Sequence, residues 1–282
     1  ASTWKGPPGS STAGPVQVPS AYATVAPVVA RGVAAGPAAV VARVLPRRTA
    51  FTRMAAGTAR DMQVVAANVD MALLCAALNA DLNLRRLERY LATTYESGAT
   101  PVVVLTKADL AGDIEARVAA VRAVAKDVPV LAISSKTGQG LEAVFDQLAP
   151  GRTAVLLGSS GAGKSTLLNA LAGEEKMSTG VIREADERGR HTTTHRELVR
   201  LPSGGLILDT PGMRELGLWE ADAGVAATFA DIEVLAGECR FSDCAHEREP
   251  GCAVQAALKA GELAEGRWRN FQKLQAELAF ER

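Results

Sequence analysis

No run of apolar residues in this 282-residue chain approaches the roughly 18 that a membrane-crossing helix requires. The first 20 residues also lack the basic, then apolar, then small-residue order of a secretory leader. The expectation is a cytoplasmic monomer with no membrane partner. Cysteine is scarce: four residues cannot supply a disulfide framework for a chain this long. Three of the four crowd into positions 239–252, which points to metal. Acidic residues are missing from the front end. Residues 1–60 hold Lys5, Arg31, Arg43, Arg47, Arg48, Arg53 and Arg60 but no Asp or Glu. With 31 basic and 31 acidic residues in all, the other 222 carry 24 and 31, a net of minus seven. A basic front of this kind is drawn to the phosphate backbone of RNA or DNA. A solvated, arginine-rich surface with no partner accounts for it equally well.

What is present suits a globular chain of about two domains, with 48% hydrophobic and 22% charged residues to build and solvate a core. Residues 1–38 are rich in Gly, Pro, Ala and Ser with little periodicity, and the first 15 or so read as disordered. A strand is expected around 39–45, stopped by Pro46. From Asn68 onward, short apolar runs at 71–74, 102–105, 130–133, 154–157 and 206–208 alternate with helical patterns. These helices are expected at about 84–96, 113–126, 140–148 and 164–172. That rhythm predicts a parallel α/β sheet. From about 222 the chain turns helical around the cysteines. Three units are expected: a basic front segment with a small, incomplete β module (1–60), an α/β domain (61–220) and a helical domain (221–282).

The strongest chemical signal is GSSGAGKS, which follows one predicted strand and opens a predicted helix. Gly158, Ser159, Ser160, Gly161, Ala162 and Gly163 can curl successive N–H groups around phosphates, and the helix that comes next adds the positive end of its dipole. Lys164 would reach the β- and γ-phosphates, with Ser165 on Mg²⁺ and Thr166 beside it. The base is read elsewhere. Thr106, Lys107 and Asp109 stand at a predicted strand end, where a carboxylate can accept from both ring donors of guanine and adenine offers neither. Lys107 would lay its stem along the base, while Ser134, Ser135 and Lys136, after the next strand, would close the pocket with backbone N–H groups.

Asp209, Thr210, Pro211 and Gly212 come directly after the run 206–208. Asp209 suits the Mg²⁺ shell, and Gly212 can offer its N–H to a γ-phosphate. Met213 stands where many GTPases place a water-orienting Gln, and a thioether cannot take that role. The stretch GRHTTT at 189–194 lies where a first switch belongs. Thr193 is assigned to Mg²⁺, and His191 either orients the attacking water or is an ordinary surface residue. The base-reading segments thus precede the phosphate loop, a circularly permuted motif order.

With GRHTTTHREL, DTPGMREL and CRFSDCAH as its most specific stretches, the sequence from about Ala39 to the end resembles the RsgA/YjeQ family of small-ribosomal-subunit-dependent GTPases. The resemblance implies an N-terminal OB-fold, a central permuted P-loop GTPase domain and a C-terminal zinc-binding domain. It further implies GTP hydrolysis that is slow alone, stimulated by the small (30S) ribosomal subunit and used as a switch in its late maturation, with rRNA as a partner. Two departures stand out. The family pattern has Asn where this chain has Thr106, so weaker anchoring with intact guanine selectivity is expected. The first 38 residues lack the alternating strands of a five-stranded OB barrel. Cys239, Cys244, His246 and Cys252 fill a C-x4-C-x-H-x5-C pattern, a Cys₃His set suited to one closed, structural zinc. Cys75, in a predicted strand, reads as core. The alternative function is a metal-handling GTPase whose thiols deliver an ion to a client. Leu258, Leu263, Trp268, Phe271, Leu274 and Leu278 fall at helical spacing and are expected to be core. Because the chain runs from the 209–212 loop straight into the cysteine segment, nucleotide state is expected to be relayed along that route.

Overall fold

The computed structural model describes the backbone of residues 3–4, 16–17, 28–32, 39–54, 62–173, 197–209 and 221–281. In the front region, β1 (Thr3–Trp4) pairs antiparallel with β2 (Val16–Gln17), and β3 (Val28–Gly32) with β4 (Ala39–Val44). The first of these pairs begins inside the stretch expected to be disordered. Among the described residues the pairs remain separate two-stranded sheets. A third antiparallel pair, β5 (Ala50–Met54) with β6 (Met62–Ala67), straddles the expected boundary at residue 60. Its Phe51, Val65 and Ala66 are buried in the core of the α/β domain, so that hairpin packs as part of the domain.

The centre of the molecule is a six-stranded sheet. Its strands are β7 (Met71–Ala77), β8 (Thr100–Thr106), β9 (Val130–Ala132), β10 (Thr153–Leu157), β11 (Glu197–Arg200) and β12 (Leu206–Asp209), in the order β11-β12-β10-β7-β8-β9. Apolar residues run continuously through β7, β8 and β10 because both faces are covered. Alternate side chains part to opposite faces. Leu74, Val103, Leu105 and Leu157 meet α1 (Leu84–Ser97) and α2 (Ile114–Ala125). On the other face, Leu73, Val102, Val104 and Leu156 meet α3 (Leu141–Gln147) and α4 (Lys164–Ala172). The five expected strands pair in parallel, and β11, which is not among them, adds an antiparallel pair with β12 at the edge. The cause is local. The Leu201 N–H donates to the Gly205 carbonyl and Gly204 turns at φ 86°, and a connection this short can only return a strand antiparallel.

Four helices close the chain: α5 (Asp222–Thr228), α6 (Ala230–Gly237), α7 (Ala253–Ala260) and α8 (Glu265–Glu281). The six apolar residues singled out at helical spacing all join their core, together with Val225, Phe229 and Ile232. No helix among the described residues is long and apolar enough to cross a membrane.

This helical segment is fastened to α1, which starts because Asn83 accepts the Arg85 and Arg86 N–H groups and stops at Gly98, φ 79°. Leu87 and Leu91 face the sheet, while Glu88, Ala92 and Glu96, four residues apart, face α5 and α8. A Cβ on Gly224 would lie 2.1 Å from the Ala92 carbonyl oxygen, so α5 can approach α1 this closely only with glycine there. Glu88 is fully buried and accepts from Arg267 (2.8 Å), Asn270 (2.6 Å) and Arg85 (2.8 Å). Arg267 also donates to Asp231 and to the Thr228 carbonyl, and its guanidinium lies 4.7 Å from the Phe229 ring centre. Burial alone would raise the Asp231 carboxyl, but Arg267 holds it below the usual carboxylate range. Removing one partner of such a buried pair leaves the other charge uncompensated. Arg267→Ala is therefore expected to lower the unfolding free energy in urea by about 3 kcal/mol. The double change Glu88→Gln with Arg267→Met, which takes both charges away, should lose clearly less.

Candidate nucleotide site and metal cluster

Parallel register aligns the C-terminal ends of β12, β10, β7 and β8 along one edge of the sheet, where an open α/β sheet presents its binding loops. From β10 the chain enters the glycine-rich loop at Gly158, whose φ of 153° is closed to most side chains. A Cβ there would sit 2.4 Å from the Cys75 carbonyl oxygen on β7, so the turn needs glycine on two counts. Gly161 and Gly163 also adopt positive φ (76° and 82°), and Gly163 leads directly into α4. The start of α4 carries Lys164, Ser165 and Thr166. Lys164 Nζ donates to the Gly158 and Ser159 carbonyls, both at 2.6 Å, so the lysine arches across the loop it belongs to. Ser160 and Gly161 are exposed at the loop's outer bend.

The turn expected to read the base lies on the neighbouring strand ends. Lys107 takes a left-handed conformation (φ 60°) after β8, and Asp109 comes next in a short 3₁₀ turn, Ala108–Leu110. Asp109 Oδ1 accepts from the fully buried Ser134 hydroxyl at 2.7 Å, which leaves the carboxylate exposed but oriented. The Thr137 N–H donates to the same serine oxygen, and the Ala108 N–H donates to the Ile133 carbonyl, so the ends of β8 and β9 are braced together. Ser135 carries a buried hydroxyl with no hydrogen-bond partner among the described residues, and Lys136 is exposed beside it. Thr106, expected among the nucleotide-binding residues, ends β8. It is 2% exposed, and its hydroxyl donates to the Ala162 carbonyl of the phosphate loop at 2.7 Å. Its side chain braces the loop from beneath.

Asp209 ends β12, one residue beyond the Val155–Leu208 pair and beside the strand that feeds the phosphate loop. His191, Thr193, Thr210, Pro211, Gly212 and Met213 lie outside the described residues. So does most of the route from 209 to the helical segment; among the described residues, α1 holds that segment through Glu88 and Glu96, and Lys126 at the end of α2 adds an ion pair to Asp231 at 3.4 Å. Motif spacing misses one polar contact to the loop, from Asp81 to Ser159 at 3.2 Å. Its only trace in the sequence is the position of Asp81 two residues before the α1 cap.

The second cluster is compact. Cys239, Cys244, His246 and Cys252 place their ligand atoms within 4.8 Å of one another. The sulfurs of Cys239 and Cys252 are 3.9 Å apart, and each lies 3.5 Å from His246 Nδ1. A tetrahedron with zinc–sulfur bonds near 2.3 Å has an edge of about 3.8 Å, so the set fits zinc and is far too open for a disulfide. Cys252 caps α7 and accepts the Gln255 N–H. Desolvation would raise the Cys239 thiol, but the Ala253 and Val254 N–H groups at the same helix start outweigh it and hold the thiol below its ordinary value. A helix N-terminus aimed at thiols favours the thiolates that a metal needs. His246 is fixed by its ring edge against Trp268, 5.8 Å between centres, and by its carbonyl accepting from Gln255. Cys75 is core: burial pushes its thiol up to about 12.

Comparison with known proteins agrees with this geometry. The family model described as RsgA GTPase matches residues 44–219. The chain is 54% identical over 238 residues to the small ribosomal subunit biogenesis GTPase RsgA of Opitutus terrae, covering 84% of this chain and 65% of that one. It is 52% identical over 246 residues to the protein of the same name from Streptomyces avermitilis, covering 86% and 66%. The chain thus spans just under two thirds of the length of these relatives. Among solved structures, YjeQ from Thermotoga maritima superposes with a TM-score of 0.63 at 28% identity, covering 86% of this chain and 79% of that one. YloQ, described as a circularly permuted GTPase, gives 0.61 at 27%, covering 90% and 80%. By sequence, by motif order and by the arrangement of its sheet, this chain belongs to the RsgA GTPase family.

Proposed function

We propose that the chain binds and hydrolyses GTP, and that its nucleotide state acts as a switch in the maturation of the small ribosomal subunit, with that subunit and its rRNA as partners. The observation that carries this reading is the side-by-side placement of a phosphate loop and a guanine-reading turn, joined by the Thr106–Ala162 bond. The names of the relatives support the ribosomal part.

In this reading the N–H groups of residues 158–163 and Lys164 hold the phosphates, and Lys164 exchanges its contacts with Gly158 and Ser159 for phosphate oxygens. Asp109 takes the guanine N1 and N2 donors, Lys107 lies along the base, and the Ser134, Ser135 and Lys136 backbone closes the pocket. Ser165, Thr193 and Asp209 are assigned to hold Mg²⁺, which supplies charge neutralisation at the phosphates when bound. His191 orients the water that attacks the γ-phosphorus as the bond to the bridging oxygen breaks, and Gly212 meets the γ-phosphate. Three units serve this function: the front β region, the permuted nucleotide domain and the C-terminal helical domain. In the last, Cys239, Cys244, His246 and Cys252 hold one structural zinc, which supplies folding free energy when bound. Delivery of a metal to a client calls for exposed, exchangeable thiols, and the geometry of this closed set does not favour that reading.

Two measurements check the proposal. Hydrolysis of GTP by the full chain should be slow alone and rise at least about tenfold with purified small ribosomal subunits. Lys164→Ala should abolish it, and His191→Ala should lower turnover while sparing GTP affinity. Absence of stimulation would remove the ribosomal reading. Metal analysis should return one zinc per chain, and Cys244→Ser or a strong chelator should melt the C-terminal helices at lower temperature. A chain that keeps its melting temperature without zinc would show that the cluster is not a structural site.

A further inference from the structure

Ser159 has two faces. Its carbonyl receives Lys164 Nζ at 2.6 Å and the Ala162 N–H at 3.3 Å, so the position of that one oxygen shapes both the loop and the lysine that serves it. Its hydroxyl points the other way and donates to Asp81 Oδ2 at 3.2 Å. Behind this bond lies a cleft lined by Cys75, Asp81, Arg86, Tyr90 and Ser159, so on that side the loop borders open space and not packed core.

Asp81 is itself held from several directions. Arg86 donates to both of its carboxylate oxygens, at 3.2 and 3.4 Å. The Asp81 N–H donates to Asn79 Oδ1 at 3.0 Å, and Arg117 on α2 donates to the Asn79 carbonyl at 2.7 Å. Asn83, two residues on, caps α1. At its other end the segment is tied to the base-reading strand, because the Leu78 N–H donates to the Thr106 carbonyl at 2.9 Å. Hydrogen bonds from Arg86 and Ser159 hold the Asp81 carboxyl below its usual range, so it is ionised at neutral pH, and its Oδ2 accepts from the Ser159 hydroxyl as well as from Arg86. Residues 78–83 thus form a strut from the strand end that reads the base to the loop that receives the phosphates.

We propose that Asp81 is a positioning residue for the nucleotide site: through the Ser159 hydroxyl it fixes the Ser159 carbonyl, and with it the loop shape and the resting place of Lys164. This rests on the guanine-nucleotide reading above. Asp81 touches no nucleotide atom in this account. Its side chain is about half exposed (49%), so its bond to Ser159 is screened and the effect is moderate.

The test is equilibrium titration of the full chain with a fluorescent GDP analogue, for wild type, Asp81→Asn, Ser159→Ala and the double variant. Each single change should raise the dissociation constant about three- to tenfold. The double should be no weaker than the weaker single, because one change takes the charge from a bond that the other removes. In steady-state hydrolysis the loss for Asp81→Asn should appear in KM, with kcat at saturating GTP held within about twofold. A merely structural role would lower the melting temperature without this split. Should Asp81→Asn fail to fold, Ser159→Ala removes the same bond from the other side and reads it alone. Singles that bind as tightly as wild type, or losses that multiply in the double, would overturn the proposal while leaving the guanine-nucleotide reading standing. A wild type that binds no guanine nucleotide would overturn both.

Discussion

The Thr106 hydroxyl donates to the Ala162 carbonyl across two strands that are 47 residues apart at their nearest ends but aligned in one sheet. The rest of the site depends on this constraint. β8 and β10 are both parallel to β7, so their C-terminal ends emerge at one edge, and the turn proposed to read the base and the glycine-rich loop emerge with them. Close approach is enforced further by Gly158, which lets the loop lie against the Cys75 carbonyl, and by Gly163, where a Cβ would stand 3.2 Å from Thr106 Oγ1. Sheet neighbours place the site, and chain order does not. The permuted motif order is physically tolerable for that reason: moving the chain ends to the surface changes the connections and leaves the edge intact.

The same logic gives α1 a double part. One end of the helix is set by the Asn83 cap beside the strut that reaches Ser159. Its outer face carries Glu88, which is buried without loss only because Arg267, Asn270 and Arg85 converge on it from two parts of the chain. The helical segment is therefore seated on the helix next to the nucleotide site. At its far side the Cys/His cluster gathers the loop between α6 and α7, so the segment is fastened at one end by charge and drawn together at the other by four side chains that could hold a metal.

Much of this was legible in the sequence because the signals are local. Long apolar runs gave the positions of β7, β8 and β10, and helical spacing gave the core residues from Leu258 to Leu278. Glycine-rich and cysteine-rich spacings carried their chemistry directly. Other features were illegible for identifiable reasons. β11 is four residues long, with only Leu198 and Val199 apolar, which is too short for a periodicity to register. β4 lies where a strand is expected, around 39–45, but β1 to β3 are only two to five residues long and sit in a stretch rich in Gly, Pro, Ala and Ser that reads as irregular. The bond from Thr106 to Ala162 was illegible too, because which way a hydroxyl points is decided by the loop beside it. Glu88 and Arg267 lie 179 residues apart, and each alone reads as an ordinary surface charge.

The proposed recognition of guanine depends on the Asp109 carboxylate in the turn after β8. Titration of wild type and Asp109→Asn with GDP and with XDP tests it most directly. An amide presents a donor where the carboxylate presents an acceptor, and xanthine carries an oxygen where guanine carries its amino group. The account predicts that the variant loses GDP affinity by at least about tenfold and gains XDP affinity, with its fold intact. A variant that keeps the wild-type preference for GDP would contradict it.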